Sequence, residues 1–350
     1  MPRNLQYAGP NVRDNEEVVW QSMQRDSSAF KYASDRLKDD LKFAESAVQM
    51  SPRNLQYAGP NARDNEEVVW QSMQQDPSAF GYASDRLKDD FEFAERVVQI
   101  WPLNLRYAGP KIRDNGKIVW QAMQQDPSAF AYASDKLKDD SQFAEHAVQM
   151  RPLNLQYVGP RSRDNGKIVR QAIQQDPSAF AYASDRLKGD FKFAEHAVQM
   201  RPLNLQYARP KDRDNEEVVR QAIQQDPSAF AHASDRLRDD LQFAALAIQL
   251  FPKNLKYAGP KVRDSEGIVR QFIQQDPSTF KYVSDRLRDD FEIAALAIQL
   301  FPKNLKYAGP KVCESEAIVG QALQKCPKVL KYARKRDIKK RYLDQFKDAR

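Results

Sequence analysis

The chain has 350 residues, with 55 basic and 48 acidic side chains, 41% apolar residues, three histidines and two cysteines. No apolar stretch approaches the ~20 residues of a membrane-spanning helix, and Met1-Pro2-Arg3-Asn4 lacks the apolar run of a signal peptide, so a soluble, intracellular chain is expected. Cys313 and Cys326 are too few for a disulfide framework or a multi-cysteine metal site.

The sequence realigns with itself every fifty residues, and inside that period lies a shorter one of 25. Leu5, Phe30, Leu55, Phe80, Leu105, Phe130 and their successors to Leu330 mark fourteen units, the last degenerate. Periods of this size indicate a solenoid, in which one small element stacks on its own copies.

Each unit reads as two helices. In residues 126–150, Asp126 is a cap, Pro127 suits a first helical position, and Ser128 to about Leu137 carries Phe130, Ala133 and Leu137 at helical spacing. Asp139 and Asp140 precede a second helix with Phe143, Ala144, Ala147 and Val148 on one face. Units alternate between two kinds. In one, Gly-Pro (Gly9-Pro10, Gly59-Pro60, Gly109-Pro110) cuts the first helix short; in the other, Ser-Asp (Ser134-Asp135) lets it run a further turn.

The expected fold is therefore all-α, an α-solenoid of about fourteen helix-turn-helix units forming seven double repeats. At ~8–10 Å between packed helices the stack would reach on the order of 120 Å. Residues 1–333 form one array and residues 334–350 a basic capping helix or tail. The first unit begins in register, with no capping segment before it, which suggests a docked partner, a homo-oligomer or a fragment of a longer chain.

The pattern Leu/Phe-x-Tyr-Ala-Ser-x-x-Leu-(Lys/Arg)-Asp-Asp, followed by an Ala-Val-Gln helix that ends in Pro, resembles a short helical repeat family of unknown function. The resemblance covers residues 2 to about 333 and implies multi-copy arrays of the sort found in intracellular bacteria, protists and algae. It supplies no catalytic or binding residues, and the Gly-Pro units depart from its usual motif.

Residues with chemical potential have structural readings. His146 and His196 lie in separate layers, and His232 stands where other units have Tyr. The Ser-Asp pairs recur in six units without a base, unlike a nucleophile. The pairs Asp39-Asp40, Asp89-Asp90, Asp139-Asp140, Asp239-Asp240 and Asp289-Asp290 cap helices, and Gly189 replaces one such Asp. No enzyme activity, cofactor or metal site is expected. A Gln recurs in thirteen units (Gln24, Gln49 and onward to Gln324) and suggests an amide ladder between layers, with a polar ligand-facing row as the rival. The recurrent Tyr (Tyr7, Tyr32, Tyr57, Tyr82) reads as core with its hydroxyl bonded at the edge.

Two sets of residues suggest partner binding. Trp20, Trp70 and Trp120 share a position with Arg170, Arg220, Arg270 and finally Gly320, which predicts a half-exposed stripe of interface-prone residues. In the last third, Glu145-His146 gives way to Ala245-Leu246 and Ala295-Leu296, and Phe251 and Phe301 replace Arg151 and Arg201; Leu246, Leu296, Phe251 and Phe301 are the second set.

The net charge of +7 resides in residues 328–350, which hold ten basic and three acidic side chains. There Lys335, Arg336, Lys339, Lys340 and Arg341 form a tail suited to weak, salt-sensitive binding of acidic surfaces. The neutral body and the blockwise changes between units favour a non-catalytic scaffold for protein or peptide over a repeat-type nucleic-acid reader, the alternative, which needs independent variation on one face.

Overall fold

In the computed structural model, residues 2–337 and 340–342 are described, with side chains from Leu5 onward. The chain is an all-α solenoid of tandem repeats, and among the described residues there is no strand. It divides into two compact units, Met1–Tyr182 and Ala183–Arg350. Within each unit, consecutive layers contact through their 3-10 helices and through their long helices. The expected markers line the core: Leu55, Phe80, Leu105 and Phe130 in the first unit, and Leu205, Phe230, Leu255 and Phe280 in the second, are fully buried.

Each complete 25-residue unit contains three helical pieces. In a Gly-Pro unit these are a 3-10 helix (Pro52–Tyr57), a short α-helix (Pro60–Arg63) and a long α-helix (Glu66–Gln75). The following Ser-Asp unit repeats them as Pro77–Tyr82, Asp85–Lys88 and Phe91–Ile100. The expected extra turn in Ser-Asp units is absent, because the backbone leaves the helix at Ala133 (ψ 160°) and Ser134 (ψ 157°). There the Ser134 amide donates to the Arg113 carbonyl of the previous layer at 2.8 Å, while the Ser134 hydroxyl accepts from the Leu137 amide at 3.2 Å. The hydrogen-bonding capacity that would have continued the helix is thus spent on a layer contact and on a new cap.

Layer junctions are of two alternating chemistries. Where a Ser-Asp unit follows a Gly-Pro unit, the aspartate ending the earlier short helix is gripped from the next layer. Asp114 accepts from the Ser134 hydroxyl at 2.6 Å and pairs with Lys136 at 3.1 Å, and Asp64 pairs with Arg86 at 2.8 Å. The serine hydroxyl, more than the cation, holds the Asp14, Asp64, Asp114, Asp214 and Asp264 carboxyls below the usual aspartate range.

The opposite junction corrects the reading of the paired aspartates. Only the second Asp caps the helix that follows it: Asp90 accepts from the Phe93 amide at 2.9 Å. The first reaches the next layer, where Asp39 accepts from the Asn61 amide at 2.7 Å, Asp89 from Lys111 at 2.9 Å and Asp239 from Lys261 at 2.8 Å. These amides open short helices whose own N-cap glycines provide no side-chain acceptor. A Cβ on Gly59, Gly109, Gly159, Gly259 or Gly309 would fall on that incoming aspartate. The glycine therefore provides room for a cap from the previous layer. It has an ordinary negative φ (−69° at Gly109), so it is not a left-handed helix terminator. The exception is reciprocal: Gly189 replaces the aspartate, Arg209 replaces the glycine, and the Arg209 guanidinium fills the vacated space and donates to the Asp185 carbonyl at 2.7 Å.

A third device had no counterpart in the sequence reading. Gly-Pro units bury an asparagine beside the core leucine: Asn154 donates to the Pro127 carbonyl of the preceding layer at 2.8 Å and to Ala147 at 3.0 Å. Asn254 and Asn304 repeat both bonds. The signal was present as one invariant Asn per fifty residues, opposite the alanines Ala29, Ala79 and Ala129 of the other kind.

Candidate functional site

The long helices bury one side, Val69 and Met73 in Glu66–Gln75 for instance, and leave the tryptophan position at the margin. Trp20, Trp70 and Trp120 are half-buried, as is Arg220, while Arg170 and Arg270 are exposed. Each tryptophan meets edge-on the Phe of the next long helix: Trp20 and Phe43 at 6.5 Å between centroids, Trp70 and Phe93 at 6.2 Å, Trp120 and Phe143 at 6.3 Å. Where Trp becomes Arg the position still reaches the next long helix. Arg220 lies over Phe243 at 5.5 Å, and Arg270 pairs with Glu292 at 2.9 Å.

The two sets of residues singled out in the sequence belong to one kind of face. Trp70 touches Trp101 at 5.8 Å and lies under the Arg96 guanidinium at 4.2 Å, and Trp120 touches His146 at 4.9 Å. Leu246 and Leu296 occupy the equivalents of His146, and Phe251 and Phe301 those of Trp101. In the second unit this face is more apolar, with Leu250 47%, Phe251 40%, Leu300 46% and Phe301 38% exposed, while Leu246 and Leu296 are half-buried. The apolar shift is coordinated across layers. Glu95 pairs with Lys117 at 3.0 Å and Glu145 with Lys167 at 2.6 Å; where the acid becomes Ala245 or Ala295, the base has become Gly267 or Ala317.

This face carries a recess beside Trp120. Gly116, like Gly166 in the next Gly-Pro unit, stands where the others have Glu16, Glu66, Glu216, Glu266 and Glu316, and a Cβ at Gly116 would approach the Phe143 ring to 3.1 Å. A cavity of about 350 Å³ results, lined by Gly116, Lys117, Trp120, Gln142, Phe143 and His146. At the far end of the stripe, Gly320 is buried beneath the Tyr342 hydroxyl.

Several expectations are corrected. The recurrent glutamines are exposed on the outer side of the long helices, so they form no ladder. Gln49 and Gln199 do bond to Gln71 and Gln221, but these belong to another position. The tyrosines are half-buried or exposed rather than core, because each lies at or just past the end of a 3-10 helix, where the backbone leaves the helix; Tyr107 packs against Gly81 of the previous layer, where an added Cβ would lie 3.0 Å from the ring. In the tail, Lys335, Arg336, Lys340 and Arg341 are exposed and Arg341 pairs with Glu316. Lys339 lies outside the described residues.

The chemically suggestive groups are engaged structurally. The Ser134 hydroxyl is used at a layer junction. His146 is exposed with Nδ1 2.8 Å from its own helix's Gln142 carbonyl, and burial, then Arg213 and Arg238, push the His232 imidazole below its ordinary range. Cys313 is buried and Cys326 half-buried, and both are free thiols. Among the described residues no cluster of three or more His, Cys, Asp or Glu is placed to hold a metal ion, and no helix is long and apolar enough to cross a membrane.

The model of a domain of unknown function (DUF4116) matches six consecutive stretches, residues 15–61, 65–113, 115–163, 165–213, 215–263 and 265–313. No curated protein and no solved structure matches the chain.

Proposed function

We propose that this chain, which belongs to that family of helical repeats of unknown function, is a non-catalytic scaffold that binds protein or peptide segments on the face of its long helices. The observation that carries this reading is the cavity beside Trp120, where Gly116 leaves apolar and aromatic walls open at a position that is glutamate in five of the seven Gly-Pro units. Such a recess suits one apolar anchor side chain of a partner, with Trp and Arg along the same row as the residue types that most often dominate interface energetics. The exposed Leu250, Phe251, Leu300 and Phe301 extend the reading to the second unit. A non-catalytic role follows from the redundancy of the polar groups, which recur layer after layer as caps and junction bonds instead of converging once.

The test is capture from native lysate at moderate salt with the full chain and with Gly116→Glu, a change that restores the residue of sister layers. The proposal expects a stoichiometric protein partner that is lost with Gly116→Glu and with Trp120→Ala while the helical circular dichroism stays unchanged. A partner retained by both variants, or recovery of nucleic acid that survives removal of residues 334–350, would overturn it.

A further inference from the structure

A second surface follows the short helices, away from the long-helix face. A basic residue recurs every 25 residues from Arg13 through Lys38, Arg63 and Lys88 to Arg288, twelve in succession, and is half-buried each time. It lines grooves between consecutive short helices. One groove, of about 620 Å³, brings together Lys88, Arg106, Tyr107 and Arg113; another, of about 370 Å³, brings together Arg238, Lys256, Tyr257 and Arg263.

The acids in the second groove are already engaged. Asp239 caps the Lys261 amide, and Asp235 pairs with Arg238. Arg263 Nε is buried without an acceptor, as are those of Arg63, Arg113 and Arg213, so these side chains are sunk into the groove walls and keep a donor unused. Burial, opposed by Asp85 and aided by Arg63, lowers the Lys88 ammonium; Lys138 behaves alike beside Arg113. Neighbouring cations of the column therefore feel one another.

From residue 256 onward a second cationic column joins the first. Lys256, Lys281, Lys306 and Lys331 lie over the rings of Tyr257, Tyr282, Tyr307 and Tyr332 at 4.7–5.3 Å. Each ring thus carries an ammonium over it, whereas single-stranded nucleic acid needs open aromatic faces for stacking.

We propose that the short-helix groove over residues 238–331 binds an extended, carboxylate-rich peptide segment. Layers recur at ~8–10 Å, and an extended chain in the polyproline II conformation, with three residues per turn and about 3.1 Å per residue, returns to the same side at every third residue in ~9 Å. Carboxylates at that spacing meet one column cation per layer, and Arg263 adds a planar donor suited to two-point contact, whereas Arg288, like Arg238, is already paired with the aspartate of its own short helix.

The test is fluorescence anisotropy at low ionic strength with two labelled probes, a Glu-Ser-Gly repeat peptide and an oligo-dT of equal charge. It uses the full chain, a column variant (Lys256→Gln, Lys281→Gln, Lys306→Gln) and a control that removes equal charge outside the groove (Lys253→Gln, Lys303→Gln, Lys328→Gln), all three being checked for unchanged helical dichroism. The expected result is peptide binding tighter than oligo-dT binding, weakened at least about tenfold in the column variant and less than about twofold in the control. Equal loss in both variants, no loss in either, no measurable peptide binding, or tighter oligo-dT binding would overturn the proposal.

Discussion

At the scale of single residues, the repeats act as internal controls, because one position is seen in several layers. Asp212 is the clearest misfit. Its equivalents are Val12, Ala62, Ile112, Ser162, Val262 and Val312, yet it is buried with one carboxylate oxygen unpartnered, and burial raises its pKa. A buried polar group without its partner costs about 1–3 kcal/mol, so Asp212→Val should stabilise the fold by that order. A carboxyl whose folded pKa is raised favours the folded state at low pH, and that advantage is lost as pH rises from the ordinary aspartate value toward the folded one. The gain from Asp212→Val should therefore be small in acid and full at neutral pH. Thermal melts of both proteins across pH check this; a pH-independent difference would show that the carboxyl is not the cause.

At the scale of elements, the alternating junctions tie each short helix to its neighbour in the stack. The bond from Asp89 to the Lys111 amide replaces the N-cap that Gly109 cannot supply. Losing an N-cap acceptor costs about 1 kcal/mol, and Gly109→Ala should cost a similar amount by displacing that same carboxylate. The double variant Asp89→Ala, Gly109→Ala should then cost clearly less than the two single changes added together, a coupling read from denaturant melts. Additive costs would mean that the glycine serves something other than the incoming cap. The reciprocal exchange at Gly189 and Arg209 is the same experiment already written in the chain.

These junctions also explain what could be read in advance. Leu55, Phe80 and Val69 repeat at fixed spacing because burial constrains residue type position by position, so the core and the all-α architecture were legible. The half-exposed Trp and Arg stripe was legible for the complementary reason, since a fully buried site does not accept Trp and Arg in turn. By contrast, Asp39 and Asp40 are adjacent in sequence but serve different layers, and a local capping rule cannot separate them. The break at Ala133–Ser134 arises from a bond to Arg113 in the previous unit, and helix propensity does not register such a partner. The glutamine row recurs without forming a ladder because its long-helix position faces outward, and recurrence alone does not distinguish a contact from an exposed site. The recess at Gly116 depends on Phe143 of the next layer, a neighbour that local sequence does not register.

At the scale of the whole molecule, sequence similarity has a period of 25, but the structural period is fifty. A Gly-Pro unit needs an aspartate donated from a Ser-Asp unit, and a Ser-Asp unit needs the short-helix aspartate of a Gly-Pro unit to receive its serine and cation. Repeat arrays draw their stability from nearest-neighbour interfaces, so matching junctions matter more than the number of layers. The family stretches recur at the same double period. Both proposed surfaces depend on this order, since the long-helix row carries its Trp or Arg once per fifty residues and the short-helix column gains its fixed geometry from the caps.

The most direct measurement is to compare two internal deletions by circular dichroism and denaturant melting, one removing residues 101–150 and the other only residues 126–150. The first rejoins unlike units, and it should keep native helicity per residue and a midpoint close to that of the full chain. The second places two Gly-Pro units in contact, leaving a serine-deprived aspartate opposite an uncapped short helix, and it should unfold at clearly lower denaturant or in two steps. Equal midpoints for the two deletions would contradict the fifty-residue period and the alternating junctions on which it rests.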